Sequence, residues 1–132
     1  VKYAELKKLS SEKLTESYNK CKVFWAFSNE QFDENLKKEG IDKNERITSI
    51  GMGGYLPSKN VKKYIKLMEE HSDWFKTEIK KVNKEEVILY ELRNFECYYT
   101  GDITDALQVL ESYGFTKAEV VEVFLKKGKK CR

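Results

Sequence analysis

The stretch RITSIGMGGYLPSKN, residues 46–60, decides which kind of α/β arrangement the chain forms. Arg46-Ile47-Thr48-Ser49-Ile50 is short and β-branched and ends at glycine, as strands do. Gly51, Gly53 and Gly54 follow with only Met52 between them. Beyond Pro57, Ser58 or Asn60 can cap a helix that carries Val61, Tyr64, Ile65, Leu67 and Met68 at spacings of three and four. Strand, glycine loop and helix N-terminus is the order in which backbone amides and the helix dipole receive a phosphate. Lys59, Lys62 and Lys63 add positive charge near that end. A site of this kind would use Gly51, Gly53, Gly54, Ser58, Lys59 and Lys62, and would hold a nucleotide or another anionic small ligand. The stretch matches neither GxGxxG nor GxxxxGK[ST], however. A tight turn with positive φ at one or two glycines, and close backbone packing beneath Tyr55, accounts for the same residues and is the simpler reading.

Toward the N-terminus, Lys22-Val23-Phe24-Trp25-Ala26-Phe27 is an almost continuous apolar run and predicts a strand buried on both faces. Ser28 and Gln31 follow at capping-box spacing, Phe32 and Leu36 mark one face of a helix, and Gly40 supplies its left-handed stop. Residues 2–19 predict a helix that Ser10 or Ser11 breaks or restarts, since serine favours caps over interiors. Toward the C-terminus, Ser72 can cap a segment with Trp74, Phe75, Ile79 and Val82 as its apolar face. Residues 85–98 form the strongest helix, with Ile88, Leu92, Phe95 and Tyr99 stepping along one stripe. Asp102 with Asp105, and Thr116 with Glu119, sit at N-cap and N3 spacing for the last two helices, separated by Gly114. The final helix is expected to bury Val120, Val121, Phe124 and Leu125. The fold class is α+β, predominantly helical with a small two- to three-stranded sheet. Residues 1–125 read as one domain and residues 126–132 as a basic tail.

Charge sharpens that division. The net charge is +3, yet Lys126, Lys127, Lys129, Lys130 and Arg132 all lie in the tail, so the body is slightly acidic. The tail could touch nucleic acid or an acidic partner, although a solvated, frayed terminus is the simpler reading. Three cysteines, Cys21, Cys97 and Cys131, form no CxxC pair, and one histidine accompanies them, which argues against a Cys/His zinc site. Cys21 and Cys97 lie in apolar patterns, as buried free thiols do, which points to a reducing, cytoplasmic setting. No apolar run reaches the length of about 20 residues needed to span a bilayer. No metal and no cofactor is expected.

Glu91-Leu92-Arg93-Asn94-Phe95-Glu96 carries the most chemistry. Glu91 and Asn94 are three apart on one helix face, and Glu91 flanks the apolar stripe. A half-buried carboxylate there needs a partner, and a structural carboxylate is the plainer reading than a general base or a metal ligand. His71 stands alone at the expected end of a helix. Helix, Gly114, turn and helix resemble a helix-turn-helix. Asp102, Asp105, Glu111, Glu119 and Glu122 face only Lys117, which repels DNA. Tyr113-Gly114-Phe115 before a capped helix is also similar to the turn of ubiquitin-associated three-helix domains. Any tightly packed helical hairpin meets both patterns.

Over about two-thirds of its length the chain resembles small proteins of phages and mobile elements of low-GC bacteria, to which no activity is assigned. The resemblance rests on Phe24-Trp25-Ala26-Phe27-Ser28-Asn29-Glu30-Gln31-Phe32, Ser49-Ile50-Gly51-Met52-Gly53-Gly54-Tyr55, Tyr90-Glu91-Leu92-Arg93-Asn94-Phe95-Glu96 and Thr100-Gly101-Asp102. It implies an accessory protein that binds and blocks a host protein or ribonucleoprotein complex, such as a bacterial defence system of the CRISPR kind. Tyr55, Trp74, Tyr98 and Tyr99 are the candidate interface anchors, since aromatics dominate interface hot spots. The alternatives are the anionic-ligand binder above and an enzyme using Glu91, Asn94 and Glu96. The oligomeric state stays open.

Overall fold

The computed structural model describes residues 2–128. Its elements run α1 (Tyr3–Lys20), β1 (Phe24–Trp25), α2 (Asn29–Lys38), β2 (Ile47–Gly51), β3 (Gly54–Pro57), a 3-10 turn (Ser58–Asn60), α3 (Val61–Ile79), α4 (Lys84–Asn94), α5 (Cys97–Thr100), α6 (Thr104–Ser112) and α7 (Lys117–Gly128). The protein is α+β and mostly helical, with one three-stranded antiparallel sheet in the order β1-β3-β2. Among the described residues no helix is long and apolar enough to cross a membrane. The chain divides into two compact units, residues 10–73 and residues 1–9 with 74–132.

In the unit of residues 10–73 the sheet has an apolar layer on each face. Successive β3 residues alternate, as the pleat requires. Leu56 packs with Cys21 and Val23, backed by Tyr18, Val61, Tyr64 and Leu67 from α1 and α3. Tyr55 packs with Phe24, Phe32, Leu36, Ile41 and Ile47 on the face that α2 covers. Ser28 starts α2 as its spacing predicts: Gln31 N donates to Ser28 Oγ at 3.2 Å, and Phe27 N donates to Gln31 Oε1 at 2.8 Å. Gly40, at φ +69°, ends it.

In the other unit, α4 is the central helix and packs on α6 and α7. Val87, Ile88 and Leu92 meet Leu110 and Val120, with Tyr3 and Leu6 from the start of α1 and Phe75 and Ile79 from the end of α3. Thr116 and Glu119 form the predicted cap: Glu119 N donates to Thr116 Oγ1 at 3.2 Å, and Thr116 N donates back to Glu119 Oε1 at 2.9 Å.

Several expectations are corrected. α1 runs through Ser10 and Ser11 without a break. α3 likewise runs through Ser72, so His71 lies within a helix rather than at its end. The strand expected over residues 22–27 shrinks to Phe24–Trp25 at the edge of the sheet, and Trp25 and Phe27 point to solvent rather than into a second core. The 85–98 helix breaks after Asn94, because Glu96 adopts the left-handed conformation at φ +54°. Asp102 sits two residues before α6 rather than at its cap, and its Oδ1 accepts from Thr104 N and Thr104 Oγ1. Leu125 is 58% exposed, while Val123 takes the buried place expected of it. Lys126 and Lys127 belong to α7, where both pair with Glu85. The rest of the basic tail, Lys129, Lys130, Cys131 and Arg132, lies outside the described residues.

Candidate functional site

The glycine stretch forms a hairpin, not a loop feeding a helix. Gly51 pairs with Gly54, leaving Met52 and Gly53 as a two-residue turn at φ +52° and +80°. Positive φ at both central residues matches the right-handed twist of the flanking strands, which is why such turns favour glycine. The β3 strand then separates the turn from the start of α3. Four extended residues span about 13 Å, so Gly51, Gly53 and Gly54 lie at one end of β3 and Ser58, Lys59 and Lys62 beyond the other. The structure does not bring these residues together as an anion cradle. Gly51 N donates to Ser49 Oγ at 3.2 Å, and Lys59 pairs with Glu45 at 2.9 Å. Neither expected cap is formed by Ser58 or Asn60: the Ser58 hydroxyl meets Thr48 Oγ1 at 2.7 Å, and Asn60 Nδ2 donates to Cys21 O at 2.9 Å.

What the glycines do is admit aromatic rings. A Cβ on Gly53 would overlap the Phe27 ring, and one on Gly54 would stand 2.5 Å from Trp25 Cζ3 and 2.8 Å from Ile50 Cγ1. Ala26 N donates to Gly53 O at 2.8 Å, which ties the chain after β1 to the turn. The outcome is an apolar hairpin end open to solvent: Met52 is 92% exposed, Phe27 79% and Trp25 44%. Trp25 is steadied from below by an edge contact with Tyr18, at 5.8 Å between centroids. Sequence reasoning missed Phe27 and Met52. The apolar run places Phe27 in a buried strand, and the glycine pattern leaves Met52 only a spacer. No local signal marks them, because the approach of these rings to the glycines across the hairpin end is non-local.

Of the four aromatics expected as anchors, Tyr99 alone stands free, at 91% exposure. Tyr55 lies between Phe24, stacked at 5.7 Å, and Phe32, edge-on at 5.2 Å. Trp74 packs against the core of its unit. Tyr98 stacks on Phe124 at 4.8 Å, and its hydroxyl donates to Val123 O at 3.4 Å. These three rings are packing residues.

Glu91 is fully buried and its carboxylate is occupied. Tyr3 Oη donates to Oε2 at 2.6 Å, and Lys7 Nζ reaches the same oxygen at 3.2 Å. Asn94 Nδ2 adds a long contact of 3.5 Å to Oε1. Lys7 also lies over the Tyr3 and Tyr90 rings, 5.8 and 5.5 Å from their centroids. Burial, followed by the Glu91 hydrogen bond and charge, holds the Tyr3 hydroxyl far above the tyrosine range. Burial and then the Glu91 charge raise Tyr113 as well. A carboxylate with this set of partners pins the start of α1 to α4 and has no face toward solvent, as the structural reading of Glu91 requires.

His71 Nε2 meets Ser10 Oγ at 2.8 Å. Burial, and next the Lys13 charge, lowers the imidazole below its ordinary value. Cys21 and Cys97 are buried, and desolvation raises both thiols, which makes them poor nucleophiles. Among the described residues no cluster of three or more His, Cys, Asp or Glu side chains could hold a metal. The α6–α7 pair turns at Gly114, φ +98°, and packs onto α4 as a small helical core.

The profile of a family of unknown function, DUF7659, matches residues 3–130, and the chain belongs to that family. No curated protein and no solved structure matches the chain.

Proposed function

We propose that the chain is a small accessory protein that works by binding another protein, and that the end of the β2–β3 hairpin is the face it presents. The observation that carries this reading is the exposed group of Phe27, Met52 and Trp25. Two of these are aromatic and one is a flexible thioether, the types enriched at the centres of protein interfaces. Their bed is preorganised: the two-residue turn, the Ala26–Gly53 hydrogen bond and the bare glycine backbone set where the rings rest. A preset apolar surface loses less conformational entropy on association than a mobile one.

The partner is a host protein or a ribonucleoprotein complex, and the role is inhibition. That choice is supported by the resemblance to phage and mobile-element proteins, whose accessory chains often block bacterial immune machinery of the CRISPR kind. The setting is then the cytoplasm of a bacterial host. Tagged wild-type protein expressed in such a host is expected to retain one host protein or complex in stoichiometric amount. The double variant Phe27→Ser, Met52→Ser is expected to lose it while keeping the wild-type melting temperature. Equal retention by the folded double variant would overturn the reading, as would self-association through the same residues with no partner.

A further inference from the structure

The face of α4 opposite the core holds a second surface, independent of the hairpin. Val87, Ile88, Glu91 and Leu92 point inward. Glu86, Leu89, Tyr90, Arg93 and Asn94, at spacings of three and four, line a cleft of about 420 Å³ along the exposed side of the helix, at whose edge Leu89 also packs against the core. A second cleft of about 330 Å³ is lined by Arg93, Glu96, Tyr98 and Tyr99. Arg93 is common to both. Its guanidinium makes no hydrogen bond or ion pair with any described residue, although Glu86 and Glu96 line the clefts with it. The left-handed Glu96 turns the chain here, so α5 starts a new direction and Tyr99 stands out beside Arg93.

We propose that these joined clefts bind an extended peptide segment with one acidic side chain, which Arg93 receives, and with apolar side chains on either side. An unpaired arginine offers a planar fork of donors that fits a carboxylate in bidentate fashion. Leu89 and Tyr90 on one side, and Tyr98 and Tyr99 on the other, supply apolar surface for the neighbouring residues. Glu86 to Arg93 covers about 10 Å of helix, the length of about three extended residues. Charge selects the class of ligand. Two carboxylates flank one guanidinium, so repulsion grows with each negative charge the ligand carries: a polyphosphate or a nucleic-acid strand is repelled strongly, whereas a peptide whose single carboxylate is offset by a basic residue is not.

The test pans the full chain against a displayed library of random linear peptides, with Arg93→Gln panned in parallel. The expected result is a motif enriched on the wild type alone, with one Asp or Glu between apolar residues. A synthetic peptide of that motif should bind about tenfold more weakly to Arg93→Gln, one charged hydrogen bond being worth that much. Tyr99→Ser should weaken it as well, and both variants should melt with the wild type because both side chains are exposed. Tripolyphosphate and a single-stranded oligonucleotide should not compete. The proposal is overturned if the same peptides emerge from both pannings, if the motif lacks an acidic residue, or if either polyanion displaces the peptide.

Discussion

Single residues carry two kinds of argument here, one about space and one about protons. Gly54 needs no positive φ, so its lack of a side chain is explained by Trp25 and Ile50 alone. Gly54→Ala should therefore push the indole outward and cost about 1–2 kcal/mol through overpacking. In a Trp74→Phe background Trp25 is the sole tryptophan, and its emission should shift to the red. Unchanged emission would mean that the ring does not rest on this glycine. Glu91 presents the opposite case, a filled site. Glu91→Ala strands the Tyr3 hydroxyl and costs about 3 kcal/mol, Tyr3→Phe costs about 1–2, and the double variant should cost clearly less than their sum. Urea titration of the four proteins measures the coupling, and strict additivity would contradict the shared hydrogen bond. His71 gives the pH dependence. Its folded value lies below the ordinary 6.5, so the unfolded chain takes up the proton first as pH falls. The neutral imidazole thus contributes stability above that value, and the contribution is lost as pH drops through it, levelling once the folded form protonates too. Between about pH 7 and about pH 5.5 the urea midpoint of the wild type should fall more than that of His71→Gln.

At the level of elements, local chemistry wrote the helix boundaries that have a side chain to mark them. Ser28 with Gln31, and Thr116 with Glu119, cap where their spacing says they should. Thr116→Ala should cost about 1 kcal/mol by urea denaturation, with a loss near zero contradicting the cap. Ser10 and Ser72 misled because their helices continue on both sides, and Ser10 spends its hydroxyl on His71 instead of on a cap. The α4–α5 break was invisible for another reason. A glutamate in the left-handed region carries no sequence signature, since glycine or asparagine is the usual occupant. Glu96→Gly should relieve that conformation and stabilise the protein by about 1 kcal/mol, whereas Glu96→Ala should not. The tight turn at the glycines forms as its sequence predicts, but the strand after it is not legible, because Gly54-Tyr55-Leu56-Pro57 is short and ends in proline, which reads as a loop. Its strand character comes from pairing with both β1 and β2, a non-local fact. Candidate sites follow the same division: the place of Glu91 beside an apolar stripe marks a half-buried carboxylate in need of a partner, but no local pattern separates the exposed Phe27 from the buried Phe24.

For the whole molecule, the two units each close their own core. Among the described residues, Glu91 and His71 are held by partners, and the thiols of Cys21 and Cys97 are buried. On the proposed reading, the solvent-facing aromatics of the hairpin end act by shape. The most direct measurement places a photocrosslinking amino acid at position 27 in the native host, with position 8 on exposed α1 as the control. Light should join position 27 to one defined host protein, position 8 should give no such product, and Met52→Ser should abolish the adduct. Identical adduct patterns from the two positions, or an adduct indifferent to Met52→Ser, would contradict the proposed reading.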